Sequence, residues 1–447
     1  MNIADFKNSL FTAAAQSGIS DIELFYMGSK SDEISVYNHE IENMQNNSQG
    51  GIGIRALVNG VMGYYYSEVI DIKDIPAIID SIKQNAEIID SEDTEFIFEG
   101  SESYAKVNVY NDELNSLTVA DKTEMALKME KAALEYDDRI KSVSNAIIAG
   151  GEGSVYIANS KGLELNETNN YFMAYVELIA QSGDSTKEKG QIWIGSDLSD
   201  FDPVKTAQAA AKKAVAALGG SSVKTGVYNV IIKNEVFADI IDCFTGCFFA
   251  DSVQKGFSLL KDKLGSSIAS PLVTLADEPL LKGGLATTAF DSEGVASYNK
   301  NVIENGVLKT YLYNLKTAYK DGVKSTGNGF KSSYKGTVAT SATNFYLKSG
   351  STDFDSLVSK LGNGIIITEV AGLHSGANSI TGDFSLAAEG FMVENGKATK
   401  PVEQITIASN FFELLKNIEE IGDDLYFSSS AVGSPSVIVK NINVSGE

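Results

Sequence analysis

The chain has 447 residues, of which 43% are hydrophobic and 21% charged, ordinary globular proportions for two to four domains around a large core. Its formal net charge is −23, from 59 acidic against 36 basic residues, and no Lys/Arg cluster interrupts that field. A nucleic-acid-binding face, which must displace counterions from phosphates, would have to be assembled against that field, and the composition argues against direct DNA binding.

The opening residues Met1-Asn2-Ile3-Ala4-Asp5-Phe6 lack the basic and apolar regions of a secretory signal. No apolar run approaches the ~20 residues of a membrane span. The expectation is a cytoplasmic protein without membrane contact. The first region, residues 1–90, begins with helical periodicity from Ile3 to Ala15 that stops near Gly18. Short strands are predicted at Ile22–Tyr26, Glu33–Tyr37, Gly51–Val58 and Val61–Tyr66. Asn59-Gly60 between the last two marks a hairpin, because both turn residues must accept positive φ. A helix is predicted from Ile72 to Ala86, with Ile72, Ile75, Ile79 and Ile82 on one face. Pro76 falls in its first turn, where a missing N–H costs little. The acidic stretch Asp90–Glu102 reads as a linker.

The second region, residues 105–220, starts with a helix capped by Thr118, with Asp121 three residues on as in a capping box. A turn at Ser160-Lys161-Gly162 separates strands at Gly153–Asn159 and Leu163–Ala180. The clearest helix follows: Asp202 suits the N-cap, Pro203 the first position, the Ala/Lys-rich run extends to Leu218, and Gly219 ends it. The third region, residues 225–447, is mostly strand and loop, with Glu-Asn-Gly turns at 304–306 and 394–396. Helices are predicted at Asn234–Phe249 and near Asn410–Glu420. The fold class is α+β: mostly antiparallel sheets with packed helices, an N-terminal α/β region and a larger strand-rich C-terminal domain. The middle region either stands alone or packs with the first as one domain.

Chemistry-bearing residues are sparse. His39-Glu40 resembles half of a His-Glu-x-x-His zinc helix, but positions 43 and 44 are Asn and Met, in a stretch that reads as strand or loop. His374 lies in Ala371–Ser385, a segment of glycine, hydroxyl and amide residues between two strands. That composition suits either a loop gripping a ligand backbone or a hydrogen-bonded structural turn. Cys243 and Cys247 fall on one side of a helix, read as buried small residues, because two thiolates do not complete a zinc site. Asp242 and Asp251 lie about 180° apart on a straight helix and form no acid/base dyad. Gly150-Gly151-Glu152-Gly153 leads into a strand, so it fails as a phosphate loop, and no Gly-x-Ser-x-Gly elbow occurs.

Several segments, in order, resemble the TldD/PmbA family (PmbA is also called TldE). They include Gly51-Ile52-Gly53-Ile54-Arg55, Asn59-Gly60-Val61-Met62-Gly63-Tyr64, Val253-Gln254-Lys255-Gly256, Ser325-Thr326-Gly327-Asn328, Gly372-Leu373-His374-Ser375-Gly376 through Ser385, and Val432-Gly433-Ser434-Pro435-Ser436. The resemblance implies a two-subunit bacterial metalloprotease system, also labelled a modulator of DNA gyrase and linked to peptide-antibiotic maturation. In it the TldD-type subunit carries a His-Glu-x-x-x-His zinc helix and the PmbA-type subunit does not. Counting back from Lys255-Gly256, the metal positions fall on Ile241, Asp242 and Gly246, so this chain resembles the PmbA/TldE type.

The resemblance then implies a chain with no cofactor of its own, a zinc-bearing TldD-type partner, and an extended peptide as substrate. Candidate peptide-facing residues are Arg55, His374, Ser375, Asn378, Thr381 and Asp383, with a homodimer expected when the chain is alone. An alternative is a stand-alone homodimeric peptide-binding protein without protease activity. A third is a free-standing hydrolase using Ser/Lys or carboxylate chemistry.

Overall fold

Asn38 and His39 adopt positive φ of 51° and 65°, the geometry of a tight hairpin turn, and join two strands far longer than their apolar segments suggest. In the computed structural model, which describes residues 3–89 and 93–447, β1 runs Ile22–Tyr37 without a break and β2 runs Glu40–Val58. The predicted gap at residues 27–32 is absent because β1 is paired on both sides. Residue after residue, Gly28 to Asp32 face Gly50 to Asn46 on one flank and Ser154 to Gly150 on the other. Ladder hydrogen bonds carry a polar stretch that periodicity alone assigns to loop. Asn59-Gly60 turns the chain into β3 (Val61–Ser67), as expected.

β4 (Ile140–Asn159), β5 (Glu164–Ser182) and β6 (Ser185–Gly195) complete one antiparallel sheet in the order β3-β2-β1-β4-β5-β6. Residues 1–90 and 105–220 thus share a sheet, joined by the β1–β4 ladder. Two helix pairs cover it. Ile3–Gln16 and Ile75–Ile88 bury Phe6, Leu10, Ile75, Ile78, Ile79 and Ile82 against Leu24, Ile52 and Ile54. Ile72 precedes the second helix in a single 3-10 turn and is 41% exposed, so it is not part of that face. The helices Val119–Leu134 and Pro203–Ala217 cover the other end. The Thr118/Asp121 capping box forms reciprocally, and Asp202 accepts from the N–H groups of Val204 and Lys205. Caps of this kind are worth about 1 kcal/mol each. Of the acidic stretch after the second helix, Asp90 to Glu92 lie outside the described residues.

The C-terminal half holds two further six-stranded sheets. The larger runs, in spatial order, Lys397–Asn410, Asp383–Glu394, Gly364–Ala371, Gly226–Ile232, Val437–Ser445 and Ile418–Ile421. It is antiparallel except where Gly226–Ile232 lies parallel to Gly364–Ala371. Two predicted helices are shorter than expected. Asn234–Phe249 is a helix only to Phe244, then a 3-10 turn at Thr245–Phe248 and a short helix Ala250–Gln254. The helix expected near Asn410–Glu420 ends at Lys416, because Ile418 and Ile421 pair with Val439 and Val437 instead. Among the described residues, no helix is long and apolar enough to cross a membrane.

Candidate functional site

The helix Asn234–Phe244 follows directly from the central strand Gly226–Ile232 and is pinned at its start, where Asn234 N–H donates to Ser436 Oγ (3.0 Å). Its apolar side, Val236, Phe237, Ile240, Ile241 and Phe244, enters the main core, and Phe244 stacks on Phe411 with ring centroids 4.6 Å apart. Glu235, Asp239 and Asp242 fall at i, i+4 and i+7 on the opposite side. Ile241 is fully buried, Asp242 is exposed, and Gly246 sits in the 3-10 turn.

The two thiols face the glycine-rich loop. Cys247 donates to the Ser379 carbonyl (2.9 Å), and Cys243 Sγ lies 3.9 Å from the Leu373 carbonyl. Burial raises both thiols, Cys247 to about 12, so they remain protonated donors and not thiolate ligands. Among the described residues, no group of three or more His, Cys, Asp or Glu could hold a metal ion. With an aliphatic side chain in the core at position 241, the residues present do not fit a zinc ion here.

The loop following strand Gly364–Ala371 places His374 and Ser375 on a one-turn helix, Leu373–Gly376, with both side chains exposed. Its other polar groups work on the loop itself. Asn378 Oδ1 accepts from the N–H groups of Ile380 and Thr381, and Thr381 Oγ1 accepts from Asp383 N–H. Asn410 Nδ2 donates to both the Thr381 carbonyl (2.8 Å) and Asp383 Oδ1 (2.9 Å). These donors lower the Asp383 pKa. Gly382 takes φ of 79°, which lets the chain turn against Asn410. The segment is therefore a hydrogen-bonded turn that presents His374, Ser375 and Ile380 outward.

Beside the acidic helix face lies a cleft of about 320 Å³, bounded by the β6 residues Gly190 to Ile192, by Glu235 and Asp239, and by Glu369 and Tyr426. β6 is the last strand of its sheet, and its neighbour β5 also lines this cleft, through Tyr175 and Glu177. Burial, then the neighbouring Asp242 and Glu235, push Asp239 up to about 6. Lysines cross the gap between the halves: Lys189 to Glu369 and Glu389, Lys187 to Glu389 and Glu403, and Lys213 to Glu235. Sequence reasoning singled out Asp242 and passed over Asp239 and Glu235. The i, i+4, i+7 spacing of the three was the available signal.

Arg55 belongs to a different place, the joint between the first sheet and the C-terminal half. It is 5% exposed and donates bidentately to Glu23 (Nε to Oε1 2.7 Å, Nη2 to Oε2 3.0 Å), with Glu293 of the other half 3.7 Å from Nη1. Burial works against its charge, but the two carboxylates more than offset that and raise its pKa. Lys331 lies over the Phe25 ring at 4.5 Å, lowered by burial to about 8. A Cβ on Gly53 would press into the carbonyl oxygen of Tyr334, and one on Gly51 into the Tyr334 ring. The Gly51-Ile52-Gly53-Ile54-Arg55 run thus docks one half of the chain on the other. Among the described residues, Arg55's ion-pair partners are Glu23 and Glu293, outside residues 372–385.

Comparison with known proteins gives consecutive matches. Descriptions of PmbA/TldA metallopeptidase domain 1, the central domain and the C-terminal domain match residues 22–88, 112–218 and 225–446. A metalloprotease PmbA homolog of Haemophilus influenzae is 31% identical, covering 72% of this chain and 69% of that protein. The metalloprotease PmbA of Escherichia coli O157:H7 is 28% identical over 94% of this chain and 91% of its own. A crystal structure from Thermotoga maritima, called a modulator of a DNA gyrase, superposes with a TM-score of 0.93 at 31% identity, over 99% of this chain and 100% of that one. TldE from Thermococcus kodakarensis shares the fold, with a TM-score of 0.91 at 21% identity over 99% and 100%.

Proposed function

The chain belongs to the PmbA/TldA metallopeptidase family, and from that premise we propose that it is a PmbA/TldE-type subunit, non-catalytic by itself, of a cytoplasmic two-subunit protease system. The observation that carries this reading is the helix Asn234–Phe244. Where the family resemblance puts zinc ligands, it and the 3-10 turn after it offer a core isoleucine, an exposed aspartate and a glycine. A carboxylate without a metal-bound water has nothing to activate. Zinc then comes from a TldD-type partner.

The substrate is an extended peptide. Main-chain pairing along a sheet edge gives affinity with little sequence preference, and β6, the last strand of its sheet, lines a cleft of about 320 Å³ beside the acidic helix face. The loop that carries His374, Ser375 and the turn built on Asn378, Thr381 and Asp383 rests on that helix and on the 3-10 turn after it, through the Cys243 and Cys247 contacts. With a net charge of −23, any effect on DNA gyrase is indirect. The test is metal analysis of the purified chain together with peptide cleavage, alone and after co-purification with a TldD-type protein. The expected result is no stoichiometric zinc, no cleavage alone, and chelator-sensitive cleavage by the pair. Tightly bound stoichiometric zinc, or full chelator-insensitive cleavage by the chain alone, overturns the reading.

A further inference from the structure

A second cavity, also of about 320 Å³, lies where the first sheet meets the C-terminal half. Met27 on β1, Val155 on β4, and Glu167 and Asn169 on β5 form one wall, and residues from 285–292, 330–331 and 341–343 form the other. Its size falls at the low end of ligand-binding pockets, about 300–1,000 Å³. Asn169 is exposed, whereas Asp291, Ser292 and Lys331 are buried, so the cavity runs from the surface into the joint between the halves.

Lys331 lines this cavity and is only 7% exposed. Among the described residues, its ammonium has neither a hydrogen-bond acceptor nor an ion-pair partner, and it meets the Phe25 ring at 4.5 Å. A ring face returns less than the three hydrogen bonds that an ammonium makes in water. The carboxylates nearby are committed elsewhere. Glu23 accepts from Arg55 through both oxygens, and Glu293 accepts from Leu315 N–H (2.7 Å) and faces Arg55. Asp291 takes the N–H groups of Glu293, Val295 and Gly329, each at 2.9 Å. Ser292 Oγ accepts from Lys331 N–H (3.1 Å), which fixes the backbone at the cavity wall. Among the described residues, the side-chain atoms both sealed from solvent and without a partner are Asp251 Oδ1, Ser297 Oγ and Thr340 Oγ1; Lys331 Nζ is not sealed.

Burial, opposed by Glu23 and Glu293 and reinforced by Arg55, brings Lys331 down to about 8, so near that pH half of it is the neutral amine. Desolvation beside a second cation is one way proteins activate a lysine toward carbonyl carbon. We propose that Lys331 and this cavity form a covalent binding site for a small uncharged aldehyde, held as an imine. The neutral Nζ attacks the carbonyl carbon and a C–N bond forms. The carbonyl oxygen takes one amine proton, then departs as water with the other, leaving C=N; the condensation is redox-neutral. The lining selects the ligand. Among the described residues it holds no other Lys, Arg or His, so an anionic group on the ligand would meet Glu167 and Asp291 without a counter-charge. Met27, Val155, Leu285 and Phe330 suit an apolar body instead. The site requires neither zinc nor a partner and stands apart from the preceding reading.

The experiment incubates the full chain with benzaldehyde and cyanoborohydride, which traps an imine once formed, and maps the adduct by peptide mass spectrometry. Lys331 is expected to be labelled about tenfold faster than exposed lysines such as Lys255 and Lys335, with its rate reaching half-maximum near pH 8. Asn169→Trp, at the exposed end of the cavity, is expected to bring Lys331 down to the rate of the exposed lysines with unchanged circular dichroism. Benzoate, an anion of matching shape, is expected to give no protection. Labelling of Lys331 no faster than that of the exposed lysines, a rate indifferent to Asn169→Trp, or protection by benzoate overturns the proposal.

Discussion

Replacing Arg55 by Met should destabilise the N-terminal sheet strongly, and the structure sets the scale. Arg55 is 5% exposed and Glu23 is 0% exposed, and both oxygens of Glu23 accept from the guanidinium. Removing the cation strands a carboxylate that water cannot reach, a situation that costs about 3–5 kcal/mol. At about 2–4 °C per kcal/mol for a body of this size, the transition should fall by about 6–20 °C. Calorimetry on the full chain reads this for the transition of the N-terminal sheet. Arg55→Met combined with Glu23→Met removes both charges, and an apolar pair of similar size often matches a buried ion pair in stability. The double variant should therefore recover at least half of the loss, a clear departure from additivity. The reasoning fails if Arg55→Met shifts the transition by less than about 2 °C, or if the double variant loses the sum of the two single changes.

Three further outcomes follow from other parts of the chain. Gly53→Ala should force the Tyr334 segment off β2, costing about 1–3 kcal/mol and speeding tryptic cleavage after Lys335; unchanged cleavage would remove the docking role of this glycine. Asp239 titrates near 6 in the folded chain against 3.8 for a free aspartate, so the folded state holds its proton more tightly. Its contribution to stability then falls as pH rises from about 4 to 6 and levels off above that. The side chain is more than a third exposed, and solvent screening keeps the effect small. Asp242→Asn should lower the Asp239 titration midpoint by NMR, and a wild-type midpoint near 4 would contradict the crowding of the three carboxylates. Cys247, held protonated by burial and in contact with the Ser379 carbonyl, should resist iodoacetamide until the chain unfolds. Rapid labelling of Cys247 in the native protein, read by mass spectrometry, would show that the loop does not cover it.

Features decided within a few residues were legible in the sequence. The Thr118/Asp121 capping box, the Asp202-Pro203 helix start and the Asn-Gly turns at 59–60, 305–306 and 395–396 depend on local hydrogen bonds or local φ, and all form. The α+β class followed from the same local periodicities. The positions that the resemblance assigns to zinc ligands, Ile241, Asp242 and Gly246, could be counted from Lys255-Gly256. Partners distant in sequence decided the rest. β1 and β2 run through polar stretches because neighbouring strands supply the ladder, which no window along one strand contains. The helix from Asn234 stops at Phe244, where the ring stacks on Phe411 in the core and the following turn carries Cys247 to the loop at Ser379. Arg55 was a peptide-facing candidate through the family resemblance of its run. Its charge is committed to Glu23 on the neighbouring strand and to Glu293 in the other half of the chain, and a buried ion pair across such a span exists only once both halves have folded and met.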